Sequence, residues 1–420
     1  MNRKQKFLLL LYIKRHMSEK RRQSAKFLQN FLFQAGKVEN EIVSTSLFLS
    51  MMLMPAPRRY WMMTYEQHWF EKIWQRRHDE IYCELFVQEF RMKGTTFDYI
   101  VGLVAHAIEK HHTTFRQAVD VNKRVAVAIW RLSTNNSYRT VSKVFGISKA
   151  VCIKITQDFR DEIVRIASEF IKFPKNGPDT ATAIQHFKEF ADCRIPQVMG
   201  ALDGTHIEIE APPTESKVDY FSRKQKYTVN TQAVIGANLM FLHVATGFPG
   251  SIHDARMCRA TSVFQEAENG QILATPTDVI NGYAVRPLIL GDSAYPCTNW
   301  ILKPFNFNLN LTQDQKKYNR KVSASRSTIE RAFGLLKVRW RCLLKRMDDR
   351  LENVPKIIIT CCVLHNICQK VGDHYIDREN ILPIVLNQER RARVRRARQH
   401  FVCDDGNVLQ DIMVNYIANN

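Results

Sequence analysis

The chain has 420 residues, of which 45% are hydrophobic and 24% are charged, so it is long enough for two or three domains and too apolar to be a disordered protein. Its 61 Lys and Arg residues outnumber its 41 Asp and Glu residues, and the resulting net charge of +20 favours a polyanion such as nucleic acid as the partner. The 10 cysteines are scattered along the chain, which argues against a secreted disulfide scaffold.

The first segment, residues 1–57, is basic and rich in Met and Leu, and it predicts an N-terminal extension. Its apolar run, from Phe7 to Ile13, is at the lower limit for the apolar region of a signal sequence, and charged residues follow it without a small-residue cleavage site. We therefore interpret this run as an ordinary helix. Because no apolar run approaches the length of a membrane span, we expect no membrane partner.

Residues 58–175 predict a helical domain, because glycine is scarce there and apolar residues recur at three- and four-residue steps. Within this domain, residues 137–159 contain an apolar cluster around a glycine, followed by Ser148 as the N-cap of a second helix. This pattern is typical of a helix-turn-helix, whose second helix would present Lys149 and Lys154 to DNA. A helical hairpin that only packs is the alternative, and it stays open.

The pattern changes after the proline-rich segment FPKNGPDT, and residues 176–197 are predicted to form a linker and a helix. The elements predicted next are strands beginning at 198, 227, 240 and 286, and helices at 255–267, 325–344 and 354–371. They predict a mixed sheet flanked by helices over residues 198–371. Residues 372–420 are predicted to be a basic tail, whose RRARVRRAR block is a solvated helix face, a nuclear localisation signal or a DNA-binding patch.

Three carboxylates lie at junctions between the predicted elements. Asp203 lies in GALDGTHIEIEAP, Asp292 ends an apolar run in RPLILGDSAYP, and Glu330 lies in the helix predicted at 325–344. Two carboxylates on strands and a third on a later helix can converge on one site, and such a site can hold two divalent cations that cut a phosphodiester bond. Acidic side chains in a strongly basic protein favour metal ligation next to a polyanion.

Each of these carboxylates also has a purely structural interpretation. Asp203 and Gly204, between apolar residues, are typical of a hairpin turn. Asp292 suits a turn or a helix N-cap, and Glu330 fits the last position of a capping box that begins at Ser327. The residues alone leave both kinds of interpretation open.

Basic residues accompany Glu330 on its predicted helix. Lys337 and Arg341 continue the face on which Glu330 lies, beside the apolar stripe. A carboxylate followed by cations suits metal binding next to phosphate groups, so we predict that Arg331, Lys337 and Arg341 contact the DNA backbone.

Two further segments contain candidate metal ligands. Asp254, in GFPGSIHDARMCRAT, suits either a helix N-cap or a fourth carboxylate at the same metal site. The segment CCVLHNIC places Cys361, His365 and Cys368 on one face of a predicted helix, where a soft metal could bind. Because structural zinc takes four ligands from turns or separate elements, we favour a buried core helix instead.

Five segments occur in one order along the chain: GALDGTHIEIEAP, GFPGSIHDARMCRAT, LILGDSAYP, SRSTIERAFGLLKVRWR and VLHN. Together they resemble the DDE transposases of the PIF/Harbinger superfamily and the Harbinger transposase-derived nucleases of animals, over residues 58–369. The resemblance implies an RNase H-like catalytic core in which Asp203, Asp292 and Glu330 form the catalytic, metal-binding triad. The aspartate of the family's G-S-x-x-D element corresponds to Asp254, which implies a further metal ligand.

The resemblance also implies an activity. It implies an α/β protein that hydrolyses phosphodiester bonds of double-stranded DNA as a metal-dependent endonuclease, with two Mg²⁺ or Mn²⁺ ions and with or without later strand transfer. A homo-oligomer is implied, as is a Myb/SANT-like partner protein that brings the chain from the cytoplasm to the nucleus. Ala294 departs from the family's usual Gly, and we expect a local backbone effect rather than loss of metal.

Two other functions remain as alternatives at this point. The first is a domesticated, catalytically silent factor that binds DNA or protein and uses the core as a scaffold. The second is an unrelated hydrolase of small phosphate esters, which the net charge of +20 and the predicted helix-turn-helix disfavour.

Overall fold

The computed structural model describes most of the chain after residue 67. The described residues are 68–113, 117–190, 195–213, 215–305, 310–375, 381–387 and 405–419. They all belong to one compact unit, Thr64–Asn420. The extension predicted at 1–57 and the basic RRARVRRAR block lie outside the described residues.

Helices form the first part of this unit, as the spacing of apolar residues predicts. They are α1 (His68–Gln75), α2 (Glu80–Phe90), α3 (Gly94–Ile108), α4 (Val121–Thr134), α5 (Tyr138–Phe145), α6 (Lys149–Arg165) and α7 (Ala167–Phe170). Aromatic rings fill the space between them. The rings of Phe86 and Phe90 lie 4.5 Å apart between centroids, and those of Trp69 and Phe145 meet edge to face at 5.7 Å. Such contacts bury a large apolar area and fix the helices against one another.

The turn between α5 and α6 is built from local signals in the sequence. Gly146 ends α5 in the left-handed conformation, with φ of 63°, which a residue without a Cβ adopts at little cost. The side chain of Ser148 then caps α6 by accepting a hydrogen bond from the backbone N–H of Val151. Ile155 and Phe159 lie on the inner side of α6 and are buried in the core. The two helices and their turn therefore lie where the sequence predicts them.

A five-stranded mixed sheet forms the second part of the unit. The described strands are β1 (Val198–Glu208), β2 (Thr228–Ile235), β3 (Phe241–Pro249), β4 (Asp278–Ile280), β5 (Tyr283–Val285), β6 (Leu288–Leu290) and β7 (Ile301–Leu302). The sheet order is β3-β2-β1-β6-β7, while β4 and β5 form a separate hairpin. The first three strands pair antiparallel, and β1, β6 and β7 pair parallel. This architecture is consistent with an RNase H-like DDE fold.

Helices cover the sheet, and the bounds of some of them differ from the two helices predicted at 255–267 and 325–344. They are α8 (Gly177–Phe190), α9 (Asp254–Arg259), α10 (Ser262–Glu268), α11 (Gln313–Arg339), α12 (Val354–Lys370) and α13 (Asp405–Asn419). The single helix predicted at 255–267 is two helices, because Thr261 caps α10 by accepting from the backbone N–H of Phe264. The helix predicted at 325–344 begins at Gln313 and ends at Arg339, and its capping box joins Thr312 and Gln315.

The two faces of the sheet pack into separate cores. Ala201 lies in the core that α11 and α12 cover, whereas the next residue, Leu202, lies in the core that α9 and α10 cover. Successive side chains of a strand point to opposite faces. Asp203 therefore faces the α11 side of the sheet, and Gly204 faces the α9 side.

The cysteine- and histidine-containing segment is a buried core helix. Cys361, His365 and Cys368 lie on α12 and are buried, and the His365 Nε2–H donates to the carbonyl oxygen of Leu239 at 3.0 Å. Burial raises the pKa of the Cys368 thiol to about 11, so the thiol stays protonated at neutral pH. By length and composition, residues Leu351–Lys370 could cross a membrane, but 67% of the tested window is buried inside the protein, as expected for a core helix.

Lowering the pH below 6.5 should destabilise the protein through His365. Burial, followed by the positive charge of Arg339, lowers the pKa of His365 from 6.5 to about 3. The unfolded chain therefore binds a proton between pH 6.5 and 3 that the folded chain does not bind. The contribution of His365 to the free energy of unfolding is complete above pH 6.5 and falls by up to about 1.4 kcal/mol per pH unit below it.

Urea unfolding at pH 7, 6 and 5 measures this dependence. His365→Gln, whose side chain keeps an N–H donor for Leu239, should show a shallower loss of stability between pH 6 and 5 than the wild type. Equal slopes for the two proteins would contradict the account of His365.

The C-terminal segment contains a packed helix that is not predicted from the sequence. Met413 and Ile417 of α13 are buried, and the Gln410 amide donates to the carbonyl oxygen of Lys303 at 2.8 Å. The ammonium of Lys317, on α11, lies 3.5 Å from the carbonyl oxygen of Ala418. Residues 405–419 therefore form part of the folded unit, in contrast to the tail predicted over 372–420.

Candidate active site

Asp203 lies in the middle of the central strand. Its side chain is 0% exposed, and its Oδ1 accepts a hydrogen bond of 2.8 Å from the backbone N–H of Gly204. Strand β1 continues to Glu208 and pairs with β2 through both residues of the Asp-Gly dipeptide. The hairpin interpretation of Asp203 is therefore wrong, and the carboxylate projects from a continuous strand.

Asp292 follows strand β6 and comes beside Asp203. Ala201 of β1 pairs with Leu290 of β6, and the two aspartates stand two residues further along their parallel strands. Adjacent strands lie about 4.8 Å apart, so this register places both carboxylates side by side on the α11 face. The Asp292 Oδ1 accepts from the backbone N–H of Ala294 at 2.8 Å, which orients the carboxylate. The donor is the backbone N–H of residue 294, which any residue except proline supplies.

Glu330 reaches the same place from helix α11. It lies in the interior of the helix, well after the start at Gln313, so the capping-box interpretation of Glu330 is wrong. The Arg326 guanidinium connects it to the strands: its Nη2 lies 3.4 Å from the Glu330 Oε1, and its Nη1 lies 3.8 Å from the Asp292 Oδ2. The structure thus brings two of the predicted carboxylates to one arginine, beside the third.

Lys337 fixes the helix to the central strand on the other side of Glu330. Its ammonium donates a hydrogen bond of 2.6 Å to the Thr205 hydroxyl, two residues beyond Asp203. Arg326 and Lys337 are thus two attachment points of α11 to the sheet, with Glu330 between them. Lys337 is only 7% exposed, so this placement favours a positioning role over the predicted contact with DNA.

A double-mutant cycle on Lys337 and Thr205 should give a coupling free energy of about 1–2 kcal/mol. Lys337→Met removes a charged donor from a buried hydroxyl, and Thr205→Val removes an acceptor from a buried ammonium. Each single change should therefore be destabilising, and the double change should cost less than their sum. Urea unfolding of the four proteins measures the coupling. Additivity within about 0.3 kcal/mol would contradict a clamp between helix and strand.

Asp254 approaches β1 from the opposite face. It is 9% exposed and is the first residue of α9, where His253 holds the N-cap position. Its Oδ1 lies 3.5 Å from the Asn230 Nδ2, and 3.1 Å from the position that a Cβ on Gly204 would take. A glycine at 204 therefore lets this carboxylate lie against the strand. The described contacts of Asp254 are with the α9 side of the sheet, not with the three clustered carboxylates.

Tyr295 lies within reach of two aspartates. It is fully buried, and its hydroxyl accepts a hydrogen bond of 3.0 Å from the Gln232 amide. Burial first, and then the negative charges of Asp254 and Asp292, raise the pKa of Tyr295 well above its ordinary value. The phenol is therefore a neutral group at neutral pH.

The other residues predicted to contact DNA differ in how far their side chains are exposed. Lys149 and Lys154 are exposed on α6, and the Lys154 ammonium lies 2.9 Å from the Asp158 carboxylate one turn away. Arg331 is exposed on α11, whereas Arg341 is half-buried. DNA contact by these residues stays a prediction.

The donor chemistry of the site fits a divalent cation. Carboxylate oxygens are the ligands that Mg²⁺ and Mn²⁺ prefer, and Asp203, Asp292 and Glu330 supply them from one side of the sheet. Over the described ranges, however, no group of three or more His, Cys, Asp or Glu side chains is arranged to hold a metal ion. The guanidinium of Arg326 lies between two of the carboxylates, and we take this as the physical reason. In this structure the carboxylates of Asp292 and Glu330 are therefore paired with the guanidinium of Arg326.

Sequence reasoning missed Arg326 and the role of Lys337. Arg326 stands four residues before Glu330, a spacing at which helical side chains of opposite charge meet, so the pattern could have signalled their pairing. The contacts to Asp292 and Thr205 depend on the packing of α11 against the sheet, which no local pattern shows.

Part of the chain matches a known protein family. Residues 202–366 match the family of DDE superfamily endonucleases, a range that contains Asp203, Asp254, Asp292 and Glu330. No solved structure matches the chain.

Three relatives cover most of the chain. The protein Antagonist of Like Heterochromatin Protein 1 of Arabidopsis thaliana is 29% identical over 321 residues, which are 73% of this chain and 79% of the relative. The putative nuclease HARBI1 is 27% identical over 299 residues in Rattus norvegicus and 26% identical over 297 residues in Homo sapiens, in each case over 70% of this chain and 80% of the relative. The chain is thus similar over most of its length to the putative nuclease HARBI1, and its residues 202–366 match the DDE superfamily endonucleases.

Proposed function

We propose that the protein is a metal-dependent DNA endonuclease of the Harbinger transposase type, with an RNase H-like catalytic core. The observation that carries the proposal is the placement of Asp203 and Asp292 side by side on parallel strands, with Glu330 facing them from α11. Carboxylates held in this way by three separate elements suit metal-assisted phosphodiester hydrolysis. The match of this segment to DDE superfamily endonucleases supports the same activity.

Asp203, Asp292 and Glu330 would hold two Mg²⁺ or Mn²⁺ ions. When bound, these ions would activate a water, or later the 3′-hydroxyl of the DNA for strand transfer, and would stabilise the leaving 3′-oxygen. The chain supplies orientation. Ala294 fixes one oxygen of Asp292, which leaves the Oδ2 directed to the site, and Lys337 sets the position of the helix that carries Glu330. Asp254 would act on the site from the α9 side.

Double-stranded DNA is the proposed substrate. The net charge of +20 supports it, and Lys149, Lys154, Arg331 and Arg341 are the side chains that we propose to contact it. Helices α5 and α6 would act as a helix-turn-helix that reads DNA in a groove. We also propose a homo-oligomer, which pairing of two DNA ends requires, a Myb/SANT-like partner and a nuclear location.

Cleavage of supercoiled plasmid tests the activity. Purified wild-type protein is incubated with Mg²⁺, Mn²⁺ or EDTA, with and without a Myb-like partner. We expect nicked and linear products only with metal. Absence of products in every condition, from folded protein that binds DNA, would contradict the proposed activity.

A second function is favoured by one observation. The Arg326 guanidinium lies between Asp292 and Glu330, where it would oppose metal binding, and this suits a catalytically silent factor that binds DNA or protein. DNA binding without metal-dependent cleavage would favour this alternative.

A further inference from the structure

Arg326 is a buried cation inside a cluster of carboxylates. It is 8% exposed, and its two terminal nitrogens point to different acids, with the Nη2 3.4 Å from Glu330 and the Nη1 3.8 Å from Asp292. The Nη1 is buried and has no hydrogen-bond partner among the described residues. One guanidinium therefore spans two carboxylates and satisfies them only in part.

The guanidinium of Arg326 carries a positive charge into the interior of the protein. Burying an ion costs free energy unless partners of opposite charge compensate, and here Asp292 and Glu330 are those partners. Conversely, carboxylates that stand together repel one another unless a cation lies between them. The arginine and the acids therefore stabilise one another in the metal-free chain.

A divalent cation needs the same carboxylate oxygens. Arg326 donates hydrogen bonds to carboxylates and cannot itself ligate a metal. A cation between Asp292 and Glu330 would lie close to the guanidinium, and like charges at such distances in a partly buried site repel strongly. Metal and arginine thus compete for one place.

We propose that Arg326 is a built-in placeholder cation, which pairs Asp292 with Glu330 in the metal-free protein and is displaced when a divalent cation binds. This inference rests on the proposed metal-dependent nuclease and assigns to that site a positioning residue that controls metal loading. Arg326 and Glu330 lie one turn apart on the same helix, so the displacement needs a change of side-chain rotamer and no movement of α11.

Removing Arg326 should change the affinity for Mn²⁺, and the direction of that change distinguishes a placeholder from a merely structural ion pair. A structural arginine that orients the ligands would make Mn²⁺ bind more weakly when it is removed. A placeholder would make Mn²⁺ bind more tightly when it is removed, although the metal-free protein becomes less stable because the carboxylates lose their partner.

Mn²⁺ binding to the full chain tests the proposal. Isothermal titration calorimetry with Mn²⁺ alone, and thermal unfolding with and without Mn²⁺, are measured for wild type, Arg326→Met and Arg326→Lys. Arg320→Met, an exposed position on the same helix, is the matched control. We expect Arg326→Met to unfold at a lower temperature without metal and to bind Mn²⁺ about tenfold more tightly. The control should match the wild type.

Arg326→Lys keeps the test informative if Arg326→Met fails to fold. A lysine ammonium is a compact charge that cannot span two carboxylates, so we expect an increase in Mn²⁺ affinity of about two- to threefold. Wild-type binding of Mn²⁺ with equal or weaker binding by the folded variants would overturn the placeholder and leave the nuclease standing. Binding by the variants but not by the wild type would support the placeholder and contradict the nuclease. No binding by any of the proteins would overturn both.

Discussion

Replacing Asp203 or Asp292 with asparagine should lower the rate of DNA cleavage by at least about a thousandfold and leave the fold intact. Asparagine has the shape of aspartate and keeps one oxygen, so the backbone N–H groups of Gly204 and Ala294 can still donate to it. It lacks the negative charge that holds a divalent cation. Removing the charge of Asp203 relieves repulsion among the carboxylates, so the thermal stability of Asp203→Asn should stay equal or rise. Asp292→Asn takes one charged partner from the buried Arg326 guanidinium, so it should unfold at a somewhat lower temperature.

Nicking rates on supercoiled plasmid and thermal unfolding of the same preparations measure both parts of this prediction. Asp314→Asn, at an exposed position near the start of α11, is the matched control and should leave the rate unchanged within about twofold. Asp254→Asn, on the other face of β1, should lower the rate by less than about tenfold, because the described contact of Asp254 is with Asn230. Cleavage by Asp292→Asn at the wild-type rate would contradict the proposed catalytic site. A loss as large in Asp254→Asn would show that this carboxylate also holds metal.

Replacing Asn366 with alanine should destabilise the protein by about 3 kcal/mol or more. Asn366 is fully buried on α12, and its Oδ1 accepts from the backbone N–H of Phe241 at 2.8 Å. Its Nδ2 donates to the carbonyl oxygens of Phe241 at 2.8 Å and Phe170 at 2.9 Å. Alanine would leave three buried backbone groups without this partner, each at about 1–3 kcal/mol. The asparagine of the VLHN segment thus joins α12 to the sheet edge and to the helical region.

Urea unfolding compares Asn366→Ala with Lys370→Ala, an exposed position on the same helix that should change stability by less than about 0.5 kcal/mol. Asn366→Asp, which keeps the acceptor for Phe241 but loses both donors, is also expected to be destabilising. An Asn366→Ala protein as stable as the Lys370→Ala protein would show that the amide contacts do not support the fold.

The sequence predicted the parts of the site that depend on local pattern. The alternation of GALDGTHIEIEAP and the apolar run before Asp292 located two strands, and the resemblance placed three carboxylates on them and on α11. The face of the sheet on which each of these residues lies could not be predicted from local pattern. Asp203 and Gly204 are neighbours in sequence and face different cores, and this separates Asp254 from the other carboxylates.

A local motif also gave a wrong prediction where two capping boxes fit the start of the same helix. Ser327 and Glu330 fit a capping box as well as Thr312 and Gln315 do, and only the packing of α11 along the sheet shows that the helix starts at the earlier pair. The short strands β4, β5 and β7, of two or three residues each, carry too little pattern to be recognised. The packing of α13 against α11 depends on long-range contacts in the same way.

The most direct test of the catalytic site is to locate Mn²⁺ by its anomalous scattering in crystals of the full chain soaked with the metal. We expect a peak in contact with the carboxylate oxygens of Asp203 and Asp292, with the Arg326 guanidinium moved away from Asp292. Mn²⁺ elsewhere on the protein, with Arg326 still between Asp292 and Glu330 at saturating metal, would contradict it.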